Sequence, residues 1–345
     1  MLAPGHSRAA NFDATHGYTV VRTSTSVLWP TAALLKTALD LCAAHDIQLV
    51  QLGHPLPAGL LGPRIRSAVG LPYVVFLGGA EVTLPGAIPG VRRALQHVLG
   101  NAAMLIAVSE FTAAAADRHT DGSVPARVLR PSLPVDDFAP PTPEERAAAR
   151  QHLGVDGELV VCVGRLVPRK GQDMLVEAVS RLATEFPRLQ LALVGEGRLS
   201  ARLFERAQRN GVAERVRLTG PVDAGSLRQW LHAADVFASP CRTRWRGYEV
   251  EGFGIVFAEA ALCGLPVLVG RSGGAPESVV EGETGHVVDG RDVAGIAAAL
   301  RLLLELPPER RHEMGLRGRD LALSRHAPEI VGARYRELLT EAAGR

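Results

Sequence analysis

The sequence lacks the cysteine patterns that mark disulfide-bonded or zinc-binding proteins. It contains four cysteines in 345 residues, and none of them belongs to a Cys-x-x-Cys pair. A zinc site or a disulfide framework would need closely spaced cysteines. Scattered cysteines are instead typical of a reducing cytosol, where most are small buried apolar residues. We therefore predict a cytoplasmic protein with no metal site.

Long apolar runs and tracts of one charge are also missing from the sequence. A transmembrane helix needs about 20 consecutive apolar residues, and no such run occurs. The N-terminus has no apolar segment like that of a secretory signal. The 38 basic and 36 acidic side chains nearly balance, without a basic tract. We therefore predict no transmembrane segment and no nucleic-acid partner.

The composition is typical of a globular α/β protein. Hydrophobic residues make up 47% and charged residues 21% of the chain, and its length suits two domains of roughly 100–200 residues each. Short apolar runs alternate with helical patterns, which indicates parallel strands covered by helices on both faces. In the first half, the predicted strands are Tyr18–Arg22, Ile47–Leu52, Tyr73–Leu77, Met104–Val108 and Ala126–Leu129. The predicted helices there are Pro30–Ala44, Gly59–Val69, Val91–Leu99 and Glu110–Arg118.

A proline-rich segment, residues 130–143, separates this series from a second one. Its five prolines cannot continue a helix or a central strand, so we predict a linker. The predicted strands after it are Leu159–Val163, Leu189–Val194, Val216–Thr219, Val236–Ala238, Pro266–Gly270, Ser278–Val280 and Gly285–Val288. The predicted helices are Asp173–Glu185, Leu199–Asn210, Gly225–Ala233 and further ones from Asp292 onward.

This order predicts two Rossmann-like domains. We place the N-terminal domain at residues 1–136 and the C-terminal domain at residues 137–326. A C-terminal helix in residues 327–345 is expected to pack back toward the N-terminal domain. Because such folds bind ligands at the carboxyl ends of their strands, we expect a cleft between the two sheets.

Basic residues follow the first strand of the second domain. Gly164 lets the chain leave the strand, and Arg165 and Lys170 precede a predicted helix. Two cations beside a helix N-terminus suit a diphosphate, through bidentate contacts from arginine and a point charge from lysine. Taken alone, such residues are more often solvated surface charges. A second glycine turn permits close backbone approach at Gly195 but is a weak signal by itself.

The most informative segment is Glu251-Gly-Phe-Gly-Ile-Val-Phe-Ala-Glu259, which follows a strand and a polar loop. Gly252 and Gly254 leave the first amides of the next helix unshielded, which suits hydroxyl or phosphate oxygens. Glu251 lies in the loop, whereas Glu259 lies more than a helical turn further along. Two acceptor carboxylates so placed can hold two diols of one ligand. The alternative is a glycine-rich helix start with two solvated glutamates.

Several motifs stand in the order and spacing of a known family. They are Gly-Arg-Leu-Val-Pro-Arg-Lys-Gly at 164–171, Val-Gly-Glu-Gly at 194–197, Ser-Pro-Cys-Arg-Thr-Arg at 239–244, Glu-Gly-Phe-Gly-Ile-Val-Phe-Ala-Glu-Ala at 251–260 and Gly-Gly-Ala-Pro-Glu at 273–277. Together they closely resemble glycosyltransferase family 4, whose fold is GT-B, two Rossmann-like domains with parallel sheets facing a cleft. Within that family, the motifs are most similar to those of actinobacterial GDP-mannose-dependent phosphatidylinositol-mannoside α-mannosyltransferases.

The resemblance implies a retaining, metal-independent hexosyltransferase that works in the cytoplasm or at the inner face of the plasma membrane. It implies a nucleotide-sugar donor, GDP-mannose, and a lipid or small-molecule acceptor. By the same resemblance, Arg165 and Lys170 stabilise the departing nucleoside diphosphate, and Glu251 orients the sugar. Family members are thought to work by front-face substitution, so we expect no enzyme nucleophile.

The resemblance also assigns the remaining donor contacts. Val222 is expected against the base and Glu259 on the ribose hydroxyls, while the backbone amides of Phe253 to Val256 hold the sugar. The full set of predicted donor-binding residues is Gly164, Arg165, Lys170, Gly195, Val222, Glu251, Gly252, Phe253, Gly254, Ile255, Val256 and Glu259.

The first half departs from the family in two places. The chain begins at what looks like the end of the domain's second strand, so we expect the first βα unit and its glycine loop to be absent. A late start codon or an incomplete gene model explains this as well as a true loss does. After Tyr73–Leu77, many family members have His-Gly-x-Glu, with the histidine beside the transferred sugar. This chain has Gly78-Gly-Ala-Glu81, and glycine cannot replace an imidazole that shuttles a proton.

Two alternatives to an active transferase stay open, and the departures favour the first of them. One is a catalytically impaired GT-B homologue that binds nucleotide sugar or a partner chain without turnover. The other is a nucleotide-sugar 2-epimerase on the same fold. The motif order and the intact donor segment favour the transferase.

Overall fold

The computed structural model describes residues 1–5, 9–15, 17–83 and 88–344, and the chain divides into two compact units. Unit 1 consists of Met1–Val108, Thr112–Leu129 and Tyr335–Arg345. Unit 2 consists of Ser109–Phe111 and Arg130–Arg334. None of the described helices is both long and apolar enough to cross a membrane.

Unit 1 is built around parallel strands. These strands are β1 (Leu2–Ala3), β2 (Val21–Arg22), β3 (Val50–Leu52), β4 (Tyr73–Leu77), β5 (Met104–Ala107) and β6 (Ala126–Val128). The helices are α1 (Ala10–Thr15), α2 (Ala32–Ala44), α3 (Leu61–Val69), α4 (Ala80–Thr83), α5 (Pro89–Gly100) and α6 (Glu110–Thr120). Strands β3 to β6 form one sheet in chain order, and β1 pairs with β2 separately. The predicted strands at Tyr18–Arg22 and Ile47–Leu52 are therefore correct in place but begin later, at Val21 and Val50.

Unit 2 contains a six-stranded parallel sheet. Its strands are β7 (Leu159–Val163), β8 (Gln190–Val194), β9 (Val216–Gly220), β10 (Val236–Ser239), β11 (Val267–Gly270) and β12 (Gly285–Val288). The helices are α7 (Pro143–Leu153), α8 (Gln172–Leu182), α9 (Ser200–Arg209), α10 (Ala224–Ala233), α11 (Ile255–Leu262), α12 (Val293–Glu305), α13 (Pro308–His326) and α14 (Pro328–Ala343), and the last part of α14 belongs to unit 1.

The strand order of this sheet determines where a ligand can bind. In space the order is β12-β11-β10-β7-β8-β9, which is the doubly wound order of Rossmann folds. The order reverses between β7 and β10, and ligands bind outside the carboxyl ends of strands at such a point. Residues 164–171 follow β7, and residues 240–254 follow β10. The fold therefore brings the two most informative sequence segments to the same edge.

Two segments of unit 2 differ from the sequence-based prediction. The predicted strand Ser278–Val280 is wrong, because Ala275–Ser278 forms a short 3₁₀ turn. Pro276 opens this turn, and proline lacks the N–H that a strand ladder requires. Helix α7, which follows the proline-rich segment, was not predicted. Its start is fixed by a capping box, in which the Glu145 amide donates to the Thr142 hydroxyl at 3.2 Å and the Thr142 amide donates to the Glu145 carboxylate at 2.8 Å.

Candidate active site

The loops after β7 and β10 pack directly against each other. A β-carbon on Gly171 would lie 2.0 Å from the carbonyl oxygen of Pro240, so only glycine fits there, and its φ of +75° also favours glycine. The Arg242 amide donates to the Arg169 carbonyl at 2.8 Å. The Ser239 hydroxyl donates to the Lys170 carbonyl at 3.3 Å. These contacts fix the backbone of Arg169 and Lys170 relative to the loop that leads to Glu251.

Glu251 is the centre of a buried charge cluster at this edge. The Lys170 ammonium lies 2.8 Å from Glu251 Oε2, and the Arg169 guanidinium also donates to Oε2. Lys170 and Glu251 are each only 7% exposed. Because a buried lysine or carboxylate is costly unless it is paired, each group stabilises the other. The Glu251 amide donates to the Ser272 hydroxyl at 3.2 Å, and its carbonyl accepts from the Gly274 amide at 3.0 Å.

Gly164, Arg165 and Gly195 lie at the ends of the neighbouring strands β7 and β8. A β-carbon on Gly195 would lie 2.4 Å from the Gly164 carbonyl oxygen, so the two strand ends are in close contact. The Arg165 side chain is exposed, and its carbonyl accepts from the Gln172 side-chain amide at 3.1 Å. Arg165 is therefore held by its backbone while its guanidinium faces solvent, where a ligand can reach it.

Helix α11 begins at Ile255 and is preceded by its N-cap, Gly254, whose φ is +86°. The first amides of a helix have no acceptor within the helix, so the amides of Ile255 and Val256 can bind a ligand. Ile255 is 43% exposed, which leaves this helix start accessible. The Gly252 carbonyl accepts from the Ser109 hydroxyl at 2.8 Å. The Phe253 ring is buried, with its centroid 5.2 Å from that of His326, so this side chain packs inward and only its backbone is available.

Glu259 and Val222 are two further predicted donor contacts. Glu259 is partly buried on α11, and burial raises the pKa of its carboxyl group. Val222 is half-buried between β9 and α10. Within the described residues, neither side chain forms a hydrogen bond or an ion pair with Glu251, Lys170 or Arg165. The structure therefore brings Glu251, Lys170 and the neighbouring glycine turns together, whereas the roles of Glu259 and Val222 stay predictions.

Comparison with known proteins identifies the family. Residues 144–321 match the family described as glycosyl transferases group 1, which is more than half of the chain. The chain belongs to this glycosyltransferase family. The catalytically impaired homologue considered above gains no support from its relatives, which are named as transferases.

Two relatives are similar over almost the whole glycosyltransferase chain. The first is the GDP-mannose-dependent α-(1-6)-phosphatidylinositol monomannoside mannosyltransferase of Mycolicibacterium smegmatis, which is 41% identical over 99% of this chain and 89% of its own. The second is the GDP-mannose-dependent monoacylated α-(1-6)-phosphatidylinositol monomannoside mannosyltransferase of Corynebacterium glutamicum, which is 35% identical over 95% of this chain and 85% of its own.

Solved structures confirm the predicted GT-B fold of the glycosyltransferase. The Anabaena protein HepE in complex with UDP has a TM-score of 0.85 at 21% identity, covering 98% of this chain and 91% of its own. A glycosyltransferase from Rickettsia africae has a TM-score of 0.82 at 15% identity, covering 99% and 89%. At these identities the likeness concerns the fold alone.

The sequence interpretation missed Arg169 of the glycosyltransferase. This residue stands next to Lys170 in the Val-Pro-Arg-Lys-Gly segment, and both side chains reach the same oxygen of Glu251. Because two adjacent residues of a loop usually point in different directions, residue type and spacing did not indicate that both belong to one site. The short 3₁₀ turn Pro168–Lys170 turns both side chains inward. A proline followed by two cations and a glycine was the available signal.

Gly78, in unit 1, contributes its backbone amide to the turn after β4. Its amide donates to the Glu81 carboxylate, so Glu81 closes the turn that follows β4.

The thiols near the Glu251 cluster are not suited to act as nucleophiles. Burial raises the pKa of Cys162 to about 12, and burial together with the Glu251 charge raises that of Cys241 to about 12. No group of three or more metal-ligating side chains occurs within residues 1–5, 9–15, 17–83 and 88–344.

Proposed function

We propose that this glycosyltransferase moves mannose from GDP-mannose to a phosphatidylinositol-mannoside lipid, with retention of the α configuration and without a metal ion. The names of the two relatives above, at 41% and 35% identity, support the donor and the acceptor. The single structural observation behind the proposal is the Glu251 carboxylate held by Arg169 and Lys170 at the switch point of the unit 2 sheet. The reaction takes place where cytosolic donor and membrane lipid meet, at the inner membrane face.

The charge of the cluster suits a diphosphate. Arg165, Arg169 and Lys170 carry three positive charges, and Glu251 carries one negative charge, which leaves a net charge of +2 (3 − 1). The diphosphate of a nucleotide sugar carries two negative charges, so these side chains balance it without a metal ion. Fixed cations in a partly buried site also stabilise the charge that develops on the leaving group.

The remaining groups orient the sugar and the nucleoside. Arg169 and Lys170 both contact Oε2 of Glu251. We therefore assign Oε1 of Glu251 and the first amides of α11 as the groups that bind the sugar hydroxyls. Glu259 accepts from the ribose hydroxyls, and Val222 packs against the base. The bond from C1 of mannose to the diphosphate oxygen breaks while the acceptor oxygen bonds to C1 on the same face. The departing diphosphate takes the acceptor's proton, so the reaction needs no nucleophile from the protein.

Transfer of labelled mannose tests this proposal. The purified chain is incubated with GDP-mannose and a phosphatidylinositol-mannoside acceptor, and the anomeric configuration of the product is determined by NMR. We expect an α-linked product, equal rates with and without EDTA, and slower turnover with UDP-glucose. A β-linked product would exclude retention, loss of activity with EDTA would exclude metal independence, and faster turnover with UDP-glucose would exclude the assigned donor.

A further inference from the structure

The loop between Arg244 and Glu249, hereafter the 244–249 loop, lies between β10 and the Glu251 segment. The Arg244 amide donates to the Glu249 carbonyl at 2.8 Å, and the Glu249 amide donates back to the Arg244 carbonyl at 3.2 Å. Their side chains form an ion pair of 2.7 Å. These contacts close a four-residue tip, Trp245-Arg246-Gly247-Tyr248.

The base of the 244–249 loop is held firmly. Arg242 pairs with Asp173 at 2.8 Å, which ties the loop to the start of α8. The Thr243 hydroxyl donates to the Ser272 hydroxyl at 3.2 Å, and the Thr243 carbonyl accepts from Arg291. Ser272 also accepts from the Glu251 amide, so the loop and the donor-site carboxylate share one support. The position of the tip is therefore coupled to that of the site.

The tip exposes groups that globular proteins usually cover. Trp245 is 56% exposed and Tyr248 is 39% exposed. Trp245 and Arg246 have φ values of +49° and +54°, a left-handed conformation that bulky residues rarely adopt. Backbone strain of this kind is found mainly at functional sites, where the surrounding structure enforces it. Here the Arg244–Glu249 closure enforces it, and the Arg244 guanidinium carbon lies 5.2 Å from the centroid of the Trp245 ring, which stays 56% exposed.

The charge of this segment is complementary to an anionic surface. Arg244 in the loop and Arg242, which precedes it, are paired with Glu249 and Asp173, whereas Arg246 is exposed at the tip. Tryptophan and tyrosine are enriched where membranes meet water, because their rings have an apolar body and a polar end. An adjacent arginine adds attraction to anionic lipid headgroups.

We propose that the 244–249 loop binds the surface of an anionic phospholipid bilayer, with Trp245 at the headgroup level and Arg246 against lipid phosphates. This deepens the proposed function and rests on it only for the lipid nature of the acceptor. Because Glu249 is followed two residues later by Glu251, the contact holds the donor site next to the membrane. Membrane binding by this loop needs no donor and no turnover, so it can be measured separately from transfer.

Co-sedimentation with vesicles tests the proposal. The full chain is mixed with vesicles of equal parts phosphatidylcholine and phosphatidylinositol, or of phosphatidylcholine alone, in the absence of GDP-mannose. We expect binding to the mixed vesicles, about fivefold weaker for Arg246→Ala and roughly tenfold weaker for Trp245→Ala. Trp29→Ala and Arg310→Glu are matched controls, because Trp29 is 61% exposed and the Arg310 side chain is 70% exposed elsewhere on the chain. Both should bind as the unchanged chain does.

Tryptophan fluorescence gives a second measurement. In the double variant Trp29→Phe/Trp230→Phe, Trp245 is the remaining tryptophan, and its emission should shift to the blue on addition of the mixed vesicles. Equal binding by the Trp245→Ala, Arg246→Ala and control variants would overturn the proposal. So would a blue shift produced by the soluble inositol-mannoside headgroup but not by vesicles, since the loop would then be a headgroup subsite. If transfer to the phosphatidylinositol-mannoside acceptor fails while vesicle binding follows the expected order, the proposed function fails and the membrane contact stands.

Discussion

The sheet of unit 2 carries a charged cluster at each of its two edges. At the carboxyl edge, the Glu251 carboxylate is paired with Arg169 and Lys170. At the amino edge, Asp235, which directly precedes β10, is 2.8 Å from Arg146, 3.2 Å from Arg150 and 3.5 Å from Arg311. A cavity of about 380 Å³ adjoins the Asp235 cluster. By charge and cavity volume alone, the amino edge would be the stronger candidate for a ligand site.

The hydrogen bonds of the two clusters point to different roles. At the amino edge the arginines also donate to backbone carbonyls, including Ala234 at 2.6 Å for Arg146 and Leu304 at 3.0 Å for Arg311. These carbonyls lie just beyond α10 and in the last turn of α12, where cations stabilise a helix. Asp235 in turn accepts from the Leu159 amide at 2.9 Å. The amino-edge cluster is therefore satisfied by the fold itself.

At the carboxyl edge, the charged side chains form fewer hydrogen bonds with the rest of the fold. Arg169 and Lys170 share one oxygen of Glu251, and the exposed Arg165 stands near them in the same loop. A cluster with surplus positive charge and free helix amides can bind an anion without first breaking the fold. The distribution of hydrogen-bond partners, more than charge or cavity volume, therefore distinguishes a binding site from a structural cluster.

The largest expected effect is on stability, at the amino edge. Asp235→Ala leaves three arginines without their carboxylate, and removing one partner of a buried pair typically costs about 3–5 kcal/mol. We expect the free energy of unfolding, measured by urea denaturation, to fall by about 3 kcal/mol. Turnover per folded molecule should stay unchanged. A large loss of turnover in fully folded Asp235→Ala protein would contradict the structural role of the amino edge, because this edge would then take part in the reaction.

Glu251→Gln should reduce turnover far more than Asp235→Ala does. The neutral amide keeps the size of the side chain but no longer holds the sugar, and misplacing a reacting group costs about a hundredfold in kcat. Binding of GDP, which carries no sugar, should be equal or tighter, because the carboxylate no longer competes for Arg169 and Lys170. Isothermal titration with GDP, combined with steady-state kinetics, separates the two effects. Loss of GDP binding in parallel with kcat would contradict this assignment.

Arg169 is the cation of the carboxyl edge that could be identified only from the structure. Arg169→Met keeps the length of the side chain without its charge, and losing one charge-assisted contact should weaken GDP binding about tenfold. Arg169→Lys should recover most of that loss. Arg202→Met, on an exposed residue of α9, is the matched control and should bind GDP normally. If the Lys variant binds as weakly as the Met variant, Arg169 acts through its shape rather than its charge.

The smallest expected effect is on stability at Glu259. Because burial raises the pKa of this carboxyl group above 4.5, keeping it charged in the folded protein costs stability at neutral pH. Glu259→Gln removes that cost, so its Tm should exceed that of the unchanged chain at pH 7. The difference should vanish as the pH falls below the ordinary value of 4.5, where both side chains are neutral.

The same variant tests the predicted role of Glu259 in donor binding. Gln can donate and accept but cannot replace a carboxylate on a diol, so GDP affinity should fall about tenfold. Glu251→Gln should show no such loss. A destabilised Glu259→Gln protein with unchanged GDP affinity would show that the carboxylate belongs to the core of unit 2 rather than to the donor site.

Much of the fold could be predicted from the sequence, because buried parallel strands have a simple signature. Tyr73–Leu77 and Leu159–Val163 are continuous apolar runs, and both strands match the prediction residue for residue. The edge strands β2 and β3 were predicted too long, because an apolar run does not show where pairing begins. Ser278–Val280 was mistaken for a strand although Pro276, two residues before it, favours a turn.

The candidate site was predicted less completely than the fold. Glycines such as Gly171 could be identified from the sequence, since they stand in recognisable motifs. The inward turn of Arg169, the support of Glu251 by Ser272 and the strained tip at Trp245 could not. Each depends on contacts between residues that are far apart in the chain or on a local backbone conformation, and neither is visible in residue type and spacing.

We infer that the carboxyl edge of the unit 2 sheet binds the nucleotide-sugar donor and that the amino edge does not. Amide hydrogen exchange of the full chain, with and without saturating GDP-mannose, tests this directly because it reports both edges in one experiment. We expect slower exchange in residues 164–171 and 251–259, with no change in residues 146–150 and 231–235. Protection confined to residues 146–150 and 231–235 would contradict the claim and place the ligand beside Asp235.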